Sequence, residues 1–310
     1  MRIVLATRGS PLALWQAEET RRLLRIAHSG AEVELSIIHS IGDRDARTDL
    51  SSFGRTGVFT AEIDRAVLGG AADAGVHSLK DMTTSLLDGL ALAGTLARAT
   101  AEDALVAREG HRLAELRPRA RVATGSARRV AMLKRARPDL EVVAMRGNVD
   151  TRLSKLARGE VDALVMACAG LERLGLADRI TEVLGPPAFL PAVGQGIVGL
   201  TCRSPRQESD ERIARALAAI SDREAWAEAL AERALLHALR GGCNVPLGAR
   251  ARAVENGISI CACVLSADGS LYLEGERSGP IAEAEAIGRG LAEDLAARGA
   301  TKLIEEARSG

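Results

Sequence analysis

The chain of 310 residues is poor in aromatic side chains, in lysine and in net charge. Aromatic residues make up 2% of the sequence, which argues against the stacking surfaces that bind single-stranded nucleic acid. The 41 positive and 41 negative side chains cancel, so no overall field attracts nucleic acid or an anionic membrane. Only four of the positive residues are lysine, and the arginines that remain carry planar forks suited to carboxylates.

Long apolar runs and a cysteine framework are also missing. No apolar stretch is long enough to span a membrane, and the N-terminal MRIVLATRGS is too short for the core of a signal peptide. Five cysteines without framework spacing argue against a disulfide scaffold. These absences predict a reduced, cytoplasmic protein that contacts neither nucleic acid nor membrane and holds no metal.

Cys243 is the cysteine with the most unusual surroundings. It follows Gly241 and Gly242 and precedes Pro246, which indicates a loop. The other four cysteines lie in apolar, strand-like runs and are predicted to be small core residues. A loop thiol can react or carry an attached group, although an idle surface cysteine is also consistent with this pattern.

Strand-like and helix-like segments alternate along the first two-thirds of the chain, which favours an α/β fold. RIVLAT is a predicted strand, and Ser10 and Pro11 then predict a helix start, with Ser10 as N-cap and Pro11 at the first helical position. A similar alternation restarts near Arg119. After Ser221 the pattern changes to a long Ala-rich helix, the Cys243 loop, two antiparallel strands and a helix from about Ile281, which predicts a smaller α+β domain.

Polar and cationic side chains gather where four predicted strands end. The four segments are Thr7-Arg8-Gly9-Ser10, His77-Ser78-Leu79-Lys80-Asp81, Thr124-Gly125-Ser126-Ala127-Arg128-Arg129 and Arg146-Gly147-Asn148-Val149-Asp150-Thr151-Arg152. Ligands of open α/β sheets bind at such ends, and this set suits several carboxylates or phosphates. A structural interpretation stays open for each, with Ser10, Ser126 and Asn148 as helix caps and the adjacent arginines 128 and 129 as solvated helix residues.

Three further features have competing interpretations. Asp81 is either a structural partner of a nearby cation or the proton donor of a reaction on a polyanionic substrate. The segment GQGIVG (194–199) matches a dinucleotide-binding pattern, but a strand-like run follows it rather than a helix, which argues against such a site. His77, and the alternating Cys261 and Cys263, are interpreted as structural core residues.

Seven ordered motifs resemble the porphobilinogen deaminase family, also called hydroxymethylbilane synthases, nearly end to end. They are TRGSPLALWQ (7–16), VHSLKD (76–81), ATGSARR (123–129), RGNVDTRLSKL (146–156), LPAVGQG (190–196), AERALL (231–236) and GGCNVPLGA (241–249). The resemblance implies a monomeric transferase of tetrapyrrole and heme biosynthesis. It joins four porphobilinogen molecules into hydroxymethylbilane and releases four ammonia molecules.

The resemblance also implies a fold of three domains. Two doubly wound α/β domains, similar to periplasmic binding proteins, frame a cleft, and a smaller α+β C-terminal domain carries the cofactor loop. On this sequence the expected bounds are 1–96 with 197–217 for the first domain, 97–196 for the second and 218–310 for the third.

The family's functional residues carry over to matching positions. Asp81 corresponds to the catalytic aspartate, and Cys243 to the cysteine that binds one dipyrromethane cofactor per chain through a thioether. The residues expected to bind cofactor and substrate are Arg8, Ser10, Ser78, Lys80, Thr124, Ser126, Arg128, Arg129, Arg146 and Arg152. Further candidates are Gln16, Arg55, Thr56, Gly147 and Gln195.

The chain departs from the family pattern at three places. Thr56 stands where a loop lysine is usual, and the neighbouring Arg55 could supply the missing charge. Met82-Thr83 replaces the usual Val/Leu-Pro pair, and the stretch from residue 97 to 103 lacks the usual Arg-Glu-Asp character. We expect these changes to affect loop closure and rate rather than the reaction.

Two other classes of function remain open at this point. A binding protein for a small polyanion would leave Cys243 unmodified. A Schiff-base enzyme would use Lys80 and have no need of Cys243.

Overall fold

The computed structural model describes residues 1–38, 60–242 and 245–309, and the chain forms two compact units. The first unit contains Met1–Arg98 and Ile197–Trp226, and the second contains Ala99–Gly196 and Ala227–Gly310. Each unit is described by itself below. Because the second unit contains two sheets, the division into three domains by residue number stays a prediction.

Thirteen strands and nine α-helices form the described part of the chain. The strands are β1 (Arg2–Arg8), β2 (Glu32–Ile38), β3 (Ala74–Ser78), β4 (Leu90–Thr95), β5 (Asp103–Ala107), β6 (Arg121–Ala123), β7 (Glu141–Val143), β8 (Ala163–Ala167), β9 (Glu182–Leu184), β10 (Val198–Arg203), β11 (Leu247–Val254), β12 (Gly257–Leu265) and β13 (Tyr272–Gly279). The helices are α1 (Pro11–Ala27), α2 (Ala61–Leu68), α3 (Ala127–Ala136), α4 (Val149–Ala157), α5 (Cys168–Arg173), α6 (Glu208–Ala218), α7 (Arg223–Ala238), α8 (Ala284–Ala297) and α9 (Ala300–Ser309).

The sheet of the first unit has the order β2-β1-β3-β10-β4. Strand β1 is parallel to β2 and β3, whereas β10 is antiparallel to β3 and β4. Helix α1 buries Ala17 and Leu24 against one face, and α2 buries Ile63 and Val67 against the other. Helices therefore cover both faces, as the doubly wound prediction requires.

The first sheet of the second unit repeats this plan in the order β7-β6-β8-β5-β9. Strand β6 is parallel to β7 and β8, and β5 is antiparallel to β8 and β9. The antiparallel strand comes from just after the point where the chain leaves the first unit, just as β10 follows its return. The expectation of two similar α/β units is confirmed.

The remaining sheet is antiparallel, in the order β11-β12-β13. Strand β12 alternates, and its even-numbered residues, such as Ile260 and Val264, pack against α8 and α9. Its odd-numbered residues, Cys263 and Leu265, join the core that contains Leu105 and Val165 of the neighbouring sheet. This shared core explains why the two sheets form one compact unit.

The sequence predictions of individual elements hold with a few corrections. Ser10 caps α1 and Pro11 opens it, as predicted. Cys168 is not in a strand but is the first residue of α5. Cys168, Cys202 and Cys263 are buried as expected, while Cys261 is half-buried.

One strand and one helix of the C-terminal region were not predicted. Strand β11 has arginine and alanine at alternating positions in LGARARAV, a period-two pattern that could have indicated it. Helix α9 follows α8 after a short turn at Gly299, which has a φ of 101°, and that glycine could have marked the break.

Candidate active site

The first strand end in the first unit joins β1 to α1. Arg8 is the last residue of β1 and is half-buried. The side-chain oxygen of Ser10 accepts a hydrogen bond from the amide of Ala13 at 3.3 Å, which satisfies one of the unpaired amides at the helix start. Ser10 is therefore a helix cap and lies beside Arg8 at the same time.

The second strand end is a tight 3₁₀ turn, Leu79–Asp81, that directly follows β3. The amide of Leu79 donates to the carbonyl of Ile197 at 3.0 Å, and the amide of Met82 donates to Leu79. A Cβ at Gly199 would approach the Leu79 side chain to 2.9 Å and the Met82 sulfur to 3.0 Å. The glycine thus lets the turn lie directly on β10. Met82, the first residue of the Met82-Thr83 pair that departs from the family pattern, is buried against it.

These two ends meet at one small cavity of about 80 Å³. Its lining comprises Arg8, Ser10, Leu12, Ala13, Gln16, Thr60, Ile63, Val76, His77, Ser78 and Asp81. The side-chain amide of Gln16, which is 2% exposed, donates to the hydroxyl of Ser78 at 2.9 Å. Lys80 lies half-buried in the same turn but does not line the cavity. The structure therefore brings together five predicted site residues of the first unit, including Asp81.

His77 lines this cavity and forms a buried polar pair with Asp64. The Nε2 atom of His77 is 3.0 Å from the Thr201 hydroxyl and 3.7 Å from a carboxylate oxygen of Asp64. Burial lowers the pKa of His77 to about 4. Burial raises the pKa of Asp64 to about 6, against a hydrogen bond from Thr60 that lowers it. A Cβ at Gly75 would lie 2.6 Å from both Nε2 and the threonine hydroxyl, so that glycine leaves room for the pair.

The strand ends of the second unit hold the other predicted residues. Thr124 is buried and its hydroxyl accepts from the amide of Ser126 at 3.3 Å. Ser126 occupies the N-cap position of α3 but makes no side-chain capping bond. Ser126 therefore lies at the predicted cap position, but its hydroxyl does not make the hydrogen bond of a helix cap.

The fourth strand end surrounds the start of α4. Asn148 caps α4 by accepting from the amide of Thr151 at 2.9 Å. The Nε of Arg152 donates to the carbonyl of Gly147 at 2.8 Å, and Gly147 has a φ of 118°, a conformation that favours glycine. Arg146 is exposed beside this turn. The three residues predicted here lie within one short segment of the second unit.

Arg128 and Arg129 are not solvated helix residues, because they are only 2% and 6% exposed. Both bind Asp103, which is fully buried at the start of β5. Arg128 donates two hydrogen bonds to its carboxylate, at 2.8 and 3.1 Å, and Arg129 donates two more, at 3.0 and 2.7 Å. Burial alone would raise the pKa of Asp103, but the charges and hydrogen bonds of both arginines lower it well below its usual range.

Gln195 completes this buried group, which we call the Asp103 cluster (Asp103, Arg128, Arg129 and Gln195). Its amide nitrogen donates to Asp103 at 2.8 Å and to the carbonyl of Ala101 at 2.6 Å. Its amide oxygen accepts from Arg129 at 3.2 Å. The GQG segment is therefore a turn that delivers a glutamine to a buried ion pair, and the strand β10 follows it as the sequence predicted.

Three predicted site residues, Cys243, Arg55 and Thr56, lie outside the described residues. The neighbours of Cys243 are well placed: the amide of Val245 donates to the carbonyl of Gly242 at 3.4 Å. A Cβ at Gly241 would lie 2.4 Å from the Leu236 side chain. Gly241 thus leaves room for Leu236 of α7.

The sequence interpretation missed several buried acids, among them Asp64 and Asp103. Asp103 begins the apolar run DALVA, and an acid at the edge of such a run needs a cationic partner. Asp64 lies on the inner side of α2 between Ile63 and Val67, so helical periodicity could have indicated its burial.

No helix among the described residues is long and apolar enough to cross a membrane. Within the same ranges, no group of three or more histidine, cysteine, aspartate or glutamate residues is arranged to hold a metal ion.

The chain is similar to known proteins over nearly its whole length. Among solved structures it resembles the VFT2 domain of Bordetella pertussis BvgS, with a TM-score of 0.42 and 16% identity over 71% of this chain and 85% of that chain. It also resembles a TRAP periplasmic solute binding protein from Desulfovibrio salexigens, with a TM-score of 0.43 and 12% identity over 71% of this chain and 72% of that chain.

The sequence comparisons are more specific. Residues 3–211 match the family model "Porphobilinogen deaminase, dipyromethane cofactor binding domain", and residues 226–297 match the C-terminal domain of the same family. A porphobilinogen deaminase from Syntrophotalea carbinolica is 42% identical over 97% of this chain and 94% of its own length. Together the two family models span nearly the whole chain.

Proposed function

Because the chain belongs to the porphobilinogen deaminase family, we propose that Asp81 is its catalytic acid and that the strand ends around it bind the substrate's carboxylates. The enzyme is a hydroxymethylbilane synthase, a transferase that polymerises porphobilinogen in tetrapyrrole synthesis. The observation that carries the proposal is the cavity that Asp81 shares with Arg8, Ser10, Gln16 and Ser78.

The substrate's charge explains the chemistry of this cavity. Each pyrrole carries an acetate and a propionate, so a growing chain brings many carboxylates to the enzyme. Arg8 offers a planar fork for one of them, and the hydroxyls of Ser10 and Ser78 offer further hydrogen bonds.

Asp81 handles the proton of each condensation. The carbon–nitrogen bond of the substrate's aminomethyl group breaks, and Asp81 gives the departing amine a proton so that it leaves as ammonia. The resulting carboxylate stabilises the positive charge left on the substrate. A ring carbon of the acceptor pyrrole then attacks the substrate's cationic methylene carbon and forms a carbon–carbon bond, and Asp81 takes the proton that this ring carbon loses and is ready for the next cycle.

The family model that matches this chain is that of a dipyrromethane-binding domain, and we propose that the cofactor is bound covalently. This cofactor supplies the primer to which substrate units are added. Its four side-chain carboxylates match the arginine-rich and hydroxyl-rich strand ends in charge, and Cys243 is the proposed attachment point. The support for this assignment is the GGCNVPLGA motif (241–249), which matches the cofactor-bearing loop of the family.

The arginines of the second unit have different support. Arg146 is exposed, and Arg152 is fixed through its Nε by Gly147, an arrangement that favours binding of a ligand carboxylate. Lys80, Thr124, Ser126 and the residues 55 and 56 stay candidates from the family motifs. Arg128 and Arg129 also rest on those motifs, because their guanidinium groups already bind Asp103.

We further infer a monomeric, cytoplasmic enzyme that acts on small molecules and not on nucleic acid. The zero net charge and the scarcity of aromatic residues support the exclusion of nucleic acid, and the family resemblance supports the monomeric state. The three proposed domains keep the bounds given above, supported by three separate sheets.

The replacement of Asp81 by alanine tests the central role. We expect Asp81→Ala to release ammonia from porphobilinogen at least ~10²-fold more slowly, because a positioned acid contributes that much or more, while its unfolding midpoint stays unchanged. Asp88→Ala removes the same charge from an exposed position of the same segment and should keep full turnover. Normal turnover in purified Asp81→Ala would rule out the proposed role.

A further inference from the structure

The GQG turn, residues 194–196, is held by a buried carboxylate from another part of the second unit. Glu232 lies on α7 and is fully buried. Its Oε2 accepts a hydrogen bond from the amide of Gly194 at 2.6 Å. Its Oε1 accepts from the amide of Ala251, on β11, at 2.7 Å. One side chain therefore joins α7, the C-terminal sheet and the turn.

The turn itself has little freedom to adapt. Gly194 and Gly196 have φ values of 73° and 87°, which other residues rarely adopt. A Cβ at Gly196 would lie 2.4 Å from the carbonyl oxygen of Ala99. The side chain of Arg173 donates to the carbonyl of Gly196 at 2.8 Å. The backbone on both sides of Gln195 is thus fixed by close contacts.

Gln195 connects the turn to the other members of the Asp103 cluster. Its amide bridges Asp103 and Arg129 by hydrogen bonds of 2.8 and 3.2 Å. Two arginines and one aspartate leave this buried cluster with one excess positive charge, so small displacements within it change the field at the start of α3. The helix start adds positive character of its own.

From these contacts we propose that Glu232 is a positioning residue, which fixes the GQG turn and through Gln195 sets the position of Arg129 and the Asp103 cluster. The inference rests on the proposed function, in which the start of α3 receives carboxylates of the cofactor and substrate. In this proposal the GQG segment places Gln195 and does not bind a dinucleotide. It also links those arginines to α7, the helix that directly precedes the Cys243 segment.

Glu228 offers a matched control on the same helix. It is buried to a similar degree, at 7% exposed, and its carboxylate accepts from the amide of Ala253 at 3.2 Å. It lies 3.5 Å from Arg250. Among the contacts that the structure describes, it makes no hydrogen bond to the GQG turn. Glu228→Gln therefore perturbs a buried carboxylate of α7 that binds β11, and it leaves the contacts of Glu232 with the GQG turn in place.

The test compares Glu232→Gln, Glu228→Gln and Gln195→Leu with the unchanged protein. In Glu232→Gln the new NH₂ group faces one of the two amide donors, so one hydrogen bond to a charged group is lost. We expect a KM for porphobilinogen about tenfold higher, a smaller change in kcat, and a lower fraction of chains that carry the cofactor by intact mass. Gln195→Leu should act in the same direction, and the double variant should add little to either.

Glu228→Gln should lower the thermal midpoint to a similar extent but keep KM and cofactor content within about twofold. The inference is contradicted if Glu232→Gln behaves like Glu228→Gln in KM and cofactor content. If Glu232→Gln does not fold, an unchanged KM in Gln195→Leu contradicts it instead. A wild-type chain without cofactor and without turnover would overturn the proposed function rather than the role of Glu232.

Discussion

The cavity of the first unit and the Asp103 cluster of the second are built from similar residue types and are used in opposite ways. Around the cavity, Arg8, Ser78 and Asp81 are half-buried and face a space that a ligand can enter. In the cluster, Asp103 is fully buried and its carboxylate receives four hydrogen bonds from two arginines. A half-buried acid thus faces an open cavity in one place, and a fully buried acid is a structural anchor in the other.

The difference shows what decides the role of a charged residue. Buried charges need partners with good geometry, and removal of one partner strands the other. A half-buried acid keeps access to water and ligand, so its removal costs chemistry rather than stability. Burial and saturation with partners, and not residue type, separate the two sites.

Removal of Asp103 should produce the largest change in stability. Asp103→Ala leaves two arginines buried without their carboxylate, and we expect the free energy of unfolding to fall by about 3–5 kcal/mol. Urea unfolding of the whole chain, followed by circular dichroism, measures this loss. Equal stability of Asp103→Ala and Asp81→Ala would break the distinction between anchor and reactive acid.

A second, intermediate effect concerns pH and the buried pair at the cavity. The pKa of Asp64 is raised from 3.8 to about 6, so the stability it contributes is full below pH 3.8 and is lost as the pH rises through 6. The pKa of His77 is lowered from 6.5 to about 4, so its contribution is full above pH 6.5 and is lost as the pH falls through 4. The two effects oppose each other in the same window.

Removal of one member should expose the effect of the other. In Asp64→Asn we expect unfolding free energy to rise by roughly 2 kcal/mol more than in wild type between pH 4.5 and 6.5. In His77→Gln it should fall over the same interval relative to wild type. The measurement is the urea unfolding midpoint of wild type, Asp64→Asn and His77→Gln at both ends of this pH interval. The same pH dependence in all three proteins would contradict the opposed contributions of Asp64 and His77.

The smallest expected effect concerns the hydrogen bond between Gln16 and Ser78 at the cavity. Gln16→Leu keeps the volume of the side chain but leaves the Ser78 hydroxyl without this donor. We expect a loss of about 1 kcal/mol in unfolding free energy together with a raised KM, because Ser78 would no longer be held in place. A fall in unfolding free energy as large as that of Asp103→Ala would show that the cavity residues, like the Asp103 cluster, mainly stabilise the fold.

Much of this arrangement was predictable from local sequence signals. The strand ends, the cap at Ser10 and the repeated α/β plan follow from apolar periodicity and helix-start residues, which act within a few positions of the chain. The motif around Asp81 also indicated which acid to single out. These features depend on neighbours in sequence.

The Asp103 cluster was not predictable in this way. Its members come from positions 103, 128, 129 and 195, which are far apart in sequence and meet only after the second sheet has formed. The arginines on α3 look like surface residues in a helical pattern, and only their contact with a buried carboxylate reverses that interpretation. The role of Glu232 was not predictable for the same reason, because its hydrogen-bond partners lie on the GQG turn and on β11, both distant in sequence.

The intact mass of the purified protein, measured beside its Cys243→Ser variant, tests the account most directly. The account predicts a mass excess equal to one dipyrromethane in the wild type and none in the variant. An unmodified wild-type chain from a host that makes porphobilinogen would contradict it and would favour a polyanion-binding protein built on the same fold.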